Sequence, residues 1–108
     1  MHRIDDEVCR RFQAPLELIG KRWNSAILLA LSFGATRFSE IISSVDGLSD
    51  RMLAQRLREL ETAGLVTREV VATTPVQIRY GLTPSGADLM AALQPITGWS
   101  QRWNSPVA

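Results

Sequence analysis

From Leu48 to Val71 the sequence reads LSDRMLAQRLRELETAGLVTREVV, and its hydrophobic period changes once, at Gly64. Before that glycine, Leu53, Leu57 and Leu60 recur at the spacing that gathers them into one narrow sector of an α-helix. Arg51, Gln55, Arg58 and Thr62 then fall on the opposite side. After it, LVTREVVA and VQIRYGL are rich in β-branched residues and are separated by TTP, which predicts a two-stranded hairpin. An amphipathic helix leading through a glycine into a hairpin, inside a short chain, leaves few architectures open.

The segments on either side narrow the choice. ATRFSEIISSV puts Phe38, Ile41 and Ile42 on one side of a short helix, preceded by Gly34 as a helix-ending residue. DGLS then makes a turn and supplies Ser49 as an N-cap, with Asp50 in the first turn of the helix that runs to Ala63. Two helices joined by a tight glycine-containing turn form a helix-turn-helix. Upstream, the spacing predicts a short helix over residues 4–13, broken before Pro15, and a long core helix from Leu16 to about Phe33 carrying Leu16, Ile19, Trp23, Ile27, Leu28 and Leu31. Downstream, Thr83 caps and Pro84 starts a last helix bearing Leu89, Leu93, Ile96, Trp99 and Trp103, with a candidate kink at Pro95. The expected fold is mainly α with a small β-hairpin: a winged helix-turn-helix with an extra helix at each end. At 108 residues, 45% of them hydrophobic, the chain suits one domain.

The outward face of the Ser49–Ala63 helix is where chemistry is expected. Arginine pairs bidentately with guanine and glutamine with adenine in the major groove, and a helix N-terminus accepts a phosphate. The net charge is only +1, so anion binding must come from local placement rather than a global field. Arg37, Ser49, Arg51, Met52, Gln55 and Arg58 are the expected DNA contacts of the helix-turn-helix, and Thr73, Thr74, Gln77 and Arg79 those of the hairpin, with Arg68 further down a strand. A plain structural hairpin remains an alternative to a contacting wing. Arg56 lies at the edge of the apolar sector and is expected to pair with Glu40 or Glu59.

Other classes fit poorly. Cys9 is the single cysteine, which excludes an intrachain disulfide and fits a reducing interior. No signal-peptide pattern is visible and the apolar run Ser25 to Phe33 is too short to span a bilayer, so the expected location is cytoplasmic, with no membrane partner. No phosphate loop, metal-ligand cluster or carboxylate constellation appears, and His2 with Cys9 makes no catalytic pair, so neither an enzyme nor a cofactor is expected. A winged helix whose arginine face meets an acidic protein stays open as the rival to DNA binding.

The stretches IGKRWNSAILLAL, RFSEI, LSDRMLAQRLRELETAGLV and YGLTPSG, followed by Trp99, resemble in order and spacing the HxlR-type winged-helix regulators, distant relatives of the MarR family. The resemblance implies a dimeric DNA-binding regulator. The 49–63 helix would enter the major groove, the 66–82 hairpin would be the wing, and the terminal helices would build the dimer through Leu89, Leu93, Ile96, Trp99 and Trp103. It implies duplex DNA with an inverted-repeat operator as partner. It also makes Cys9 a candidate sensor of oxidants or electrophiles, a setting in which Arg3, Arg10 and Arg11 would favour the thiolate and Asp5, Asp6 and Glu7 oppose it.

Overall fold

The computed structural model describes residues 4–103, so His2 and Arg3 lie outside the described residues. Five helices and one hairpin follow in the order α1 (Asp6–Gly20), α2 (Asn24–Ser32), α3 (Phe38–Ser44), α4 (Asp50–Thr62), β1 (Val66–Val71), β2 (Gln77–Leu82) and α5 (Pro84–Trp103). The winged helix-turn-helix order is as expected from the sequence.

The upstream helices are divided differently. α1 runs through Pro15 and ends at Gly20, whereas the sequence pattern put the break before Pro15 and joined residues 16–33. Proline at position 15 removes one hydrogen bond to the carbonyl four residues earlier, a loss that the exposed Arg11 position can leave to water. The interruption falls instead at Lys21-Arg22-Trp23. Trp23 adopts a left-handed conformation (φ 79°), and the Asn24 side chain donates to the Leu18 carbonyl at 2.8 Å, capping the open end of α1. Two long-range contacts hold this corner: Lys21 Nζ reaches Glu59 Oε2 at 3.1 Å, and the Arg22 carbonyl accepts from Arg56 Nε at 3.1 Å. Both partners lie on α4, so helix packing rather than local propensity selects the break.

The core is built from one face each of α2, α3 and α4. Ile27, Leu28, Leu31, Ile41, Leu53, Leu57 and Leu60 are buried together with Leu48, Leu65 and Val66. Ser49 caps α4 by accepting from the Met52 amide at 3.1 Å, and Gly64 follows the helix at φ +78°. The strands pair antiparallel in the register Val66↔Leu82, Arg68↔Tyr80, Glu69↔Arg79 and Val71↔Gln77. The Tyr80 amide donates to the Thr36 carbonyl at 2.7 Å and ties β2 to the segment before α3. Thr83 caps α5 through the Gly86 amide at 2.9 Å. Gly86 is buried so close to the Leu65 carbonyl that any Cβ there would collide with it.

The terminal helices contrast with this core. α1 buries no residue, and α5 buries only Gly86. The radius of gyration is 16.0 Å, against about 13 Å for a compact chain of this length. α1 packs on α2 and α5 on α2 and β2, so each projects much of its length beyond the core. Among the described residues, no helix is long and apolar enough to cross a membrane.

Candidate nucleic-acid interface

α4 is oriented by its leucines. With Leu53, Leu57 and Leu60 locked into the core, Arg51, Gln55, Arg58 and Thr62 are forced outward, and all four are exposed. Among the described residues none of these arginines is ion-paired, because the ion pairs formed are Arg11–Glu7, Lys21–Glu59 and Arg56–Glu59. Their donors therefore remain available. Met52 sits apart from this face, half-buried and packed against the core.

Arg56 is buried and satisfied internally, donating to the Arg22 carbonyl and to Glu59 Oε2 at 2.9 Å. Of its two expected partners, Glu59 is the one it meets. Glu40 is committed elsewhere: its carboxylate accepts from the amides of Thr36 and Arg37 at 3.0 and 2.8 Å, closing the first turn of α3. Those amide bonds, Thr36 first, hold the Glu40 carboxyl below its ordinary range. Glu59 is likewise lowered, by hydrogen bonds from Arg56 and then Lys21.

The other expected contacts are distributed around α4. Arg37 lies at the start of α3, and its guanidinium reaches Gln77 Oε1 at 3.4 Å, linking α3 to the tip end of β2. Thr73 and Thr74 are exposed at the hairpin tip, where the Thr73 hydroxyl donates to the Pro75 carbonyl at 2.7 Å. Arg79 is exposed and stands opposite Glu69 across the strands. Arg37 and Gln77 are thus brought together, while Thr73 and Thr74 remain separate at the tip.

A cleft of about 460 Å³ opens between α4 and the hairpin, lined by Ala54, Leu57, Arg58, Glu61, Arg68 and Tyr80. Arg68, expected further down a strand from the hairpin contacts, lines this cleft together with Arg58, and its period-two placement with Val66 turns it towards α4. A larger cleft, about 580 Å³, lies away from α4 against α2 and α3, with Leu29 and Phe33 at its wall.

The residues expected at a dimer interface divide. Leu89 packs against the protomer's own core and Leu93 is half-buried, but Ile96, Trp99 and Trp103 are exposed. α1 adds a stripe of Val8, Phe12 and Leu16, exposed and four residues apart, with Ile4 exposed just before the helix; Leu16, expected on a core helix, is therefore turned outward. Cys9 is half-buried beside that stripe, and Arg11 is drawn back onto Glu7 at 2.6 Å.

Residues 18–108 match the HxlR-like helix-turn-helix family. The chain is 42% identical over 100 residues to YvaP, an uncharacterized HTH-type transcriptional regulator of Bacillus subtilis (strain 168), covering 93% of each chain. It is 38% identical over 103 residues to the HTH-type transcriptional regulator YodB of the same organism, covering 95% of this chain and 92% of YodB. The reduced form of YodB superposes with a TM-score of 0.82 over 98% of this chain and all of that one, at 35% identity. YodB structures are also known in diamide-treated and quinone-bound forms. A protein from Enterococcus faecalis V583 described as a MarR-family regulator superposes at 0.83 with 31% identity, over 96% of this chain and 93% of its own. These relatives are transcriptional regulators and not enzymes, and on the family match, the identity and the shared winged-helix geometry, this chain belongs to the HxlR-like helix-turn-helix family of transcriptional regulators.

Proposed function

We propose that this transcriptional regulator acts as a single-domain homodimer that reads an inverted repeat in duplex DNA, with α4 in the major groove and the hairpin on the backbone or minor groove. The observation that carries this reading is the common exposure of Arg51, Gln55 and Arg58 on one face of α4, without an acidic partner among the described residues. A capped helix with a leucine-locked roll angle holds those donors in a fixed direction, which is what recognition of base edges requires. Exposed Ile96, Trp99 and Trp103 on α5, with Val8, Phe12 and Leu16 on α1, supply the apolar surface for a two-fold partner. The test is footprinting on the DNA adjoining the protein's own gene. Arg51→Ala and Gln55→Ala should each weaken and relax recognition by about 1–3 kcal/mol per lost base contact, with the fold intact. Unchanged selectivity in both variants refutes the assignment, and binding to an acidic protein without salt-dependent DNA binding favours the interaction-module alternative.

Cys9 is the candidate regulatory group of this dimer. YodB, for which diamide-treated and quinone-bound structures are known, is the relative that motivates the assignment. In this chain the thiol is half-buried on α1 next to Val8 and the Phe12 stripe, so a thiol adduct or intersubunit disulfide there changes how α1 meets its partner. DNA affinity of the wild type should change several-fold after diamide or a quinone, and that of Cys9→Ser should not. Equal responses in the two proteins leave Cys9 as packing.

A further inference from the structure

The cleft between α4 and the hairpin is more basic than its setting needs. Val66 is buried against the core, and strand alternation turns Arg68 to the same side of the sheet, with Tyr80 opposite it in the register. Arg68 lies two residues, roughly 6.6 Å, further towards the hairpin tip than Val66, and it is exposed where it lines the cleft. From α4, Ala54, Leu57 and Glu61 turn towards the hairpin, while Arg58 borders both this flank and the outward face. Arg58 and Arg68 therefore line one cleft from two elements. Glu61 also lines it, yet among the described residues it forms an ion pair with neither arginine. Two guanidinium groups against one carboxylate leave a net positive charge.

We propose that this cleft seats a DNA phosphodiester, with Arg58 and Arg68 as the two sides of a phosphate clamp; the inference rests on α4 occupying the major groove. An α-helix with its side chains is about 10–12 Å across and the groove about 12 Å wide, so a helix lying in it brings its flanks against the sugar-phosphate walls. A basic group on the flank meets phosphate, and one on the outward face meets base edges. Guanidinium is suited to the former because its planar fork pairs with two phosphate oxygens at once. The Tyr80 side chain, half-buried at the cleft wall, brings the only phenolic hydroxyl in the chain to the same place. The hairpin thus contributes through the inner face of β1 and not solely through its tip.

The distinguishing property is charge without sequence. Binding of the full chain to a random-sequence duplex of about 30 base pairs is measured between about 50 and 200 mM salt, where each neutralised phosphate adds about 0.9 to the slope of log affinity against log salt. Arg68→Gln should lower the slope by about that amount per protomer bound, so the affinity lost across the range shrinks about 3-fold for each. Glu61→Gln should tighten binding at the lower salt. Equal thermal midpoints of wild type and both variants show that the fold is unaffected. Salt-dependent wild-type binding with an unchanged slope in Arg68→Gln overturns the clamp and leaves the proposed function standing. A wild type with no salt-dependent binding overturns both. Stabilisation of the wild type, but not of Arg68→Gln, by inorganic phosphate alone with unchanged DNA slopes assigns the cleft to a free oxyanion and overturns the DNA assignment.

Discussion

α4 and α1 are both amphipathic and of similar length, yet they end in opposite conditions. α4 buries Leu53, Leu57 and Leu60 within its own chain and exposes arginine and glutamine. α1 exposes Val8, Phe12 and Leu16 and buries nothing. The difference lies in what each helix is surrounded by. α4 packs on α2 and β1, and its leucines join the core cluster that Ile41 of α3 shares, whereas α1 touches the body chiefly through α2 and the Lys21 corner. An amphipathic pattern therefore marks a face to be covered without stating whether the same chain covers it. α5 contains both conditions: its first turn is built into the protomer at Gly86, and its far end carries the bare Trp99 and Trp103.

The sharpest way to break this comparison is at the two ends of α5. Gly86→Ala drives a methyl group into the Leu65 carbonyl, a backbone atom that cannot swing aside, and should cost about 3 kcal/mol, the upper end of overpacking penalties. Urea denaturation measures it, and a loss below about 1 kcal/mol would show that the start of α5 is not part of the core. Next in size, Trp99→Ala and Phe12→Ala should each weaken dimerisation by about 2 kcal/mol, roughly 30-fold, while leaving the protomer's helix content unchanged. Sedimentation reads the association and circular dichroism the fold. A stable monomer in the wild type would remove the two-fold partner proposed for these side chains, and variants that unfold without altering association would show that they support the protomer instead.

The smallest effect concerns the corner where α1 meets α4. Glu59 has its pKa lowered by Arg56 and Lys21 from an ordinary value near 4.5, so the folded state binds its proton less readily than the unfolded chain. Its stabilisation is complete above that ordinary value and fades as pH falls through the lowered one. Glu59→Gln should therefore be less stable than wild type at pH 7, by under about 1 kcal/mol for a partly exposed pair, and the gap should close in acid. Urea midpoints at both pH values measure the gap. A gap of equal size in acid would mean that Glu59 acts by shape and not by charge.

The readable parts of the molecule were those whose cause lies within a turn of helix or across a tight hairpin. Ser49 reaches Met52, Thr83 reaches Gly86, and Leu53, Leu57 and Leu60 share a face because of their spacing alone. The arginine face of α4 follows from the same spacing. The break at residues 21–23 was not readable, because Pro15 is the stronger local signal and the contacts that outweigh it come from Arg56 and Glu59, more than thirty residues away. That Arg68 shares a cleft with Arg58 was not readable for a related reason: the two belong to different elements.

By itself, then, the sequence determined the periodicities, the caps, the turn into the hairpin and the side of α4 that carries arginine, since each depends on neighbours separated by a few bonds of regular backbone. Tertiary structure alone decided where α1 ends, which of Glu40 and Glu59 pairs with Arg56, that Leu89 serves the core while Trp99 does not, and that Arg58 and Arg68 share one cleft. Burial and charge pairing depend on which elements pack together, and a helical or strand period fixes the direction a side chain takes without fixing what stands in front of it.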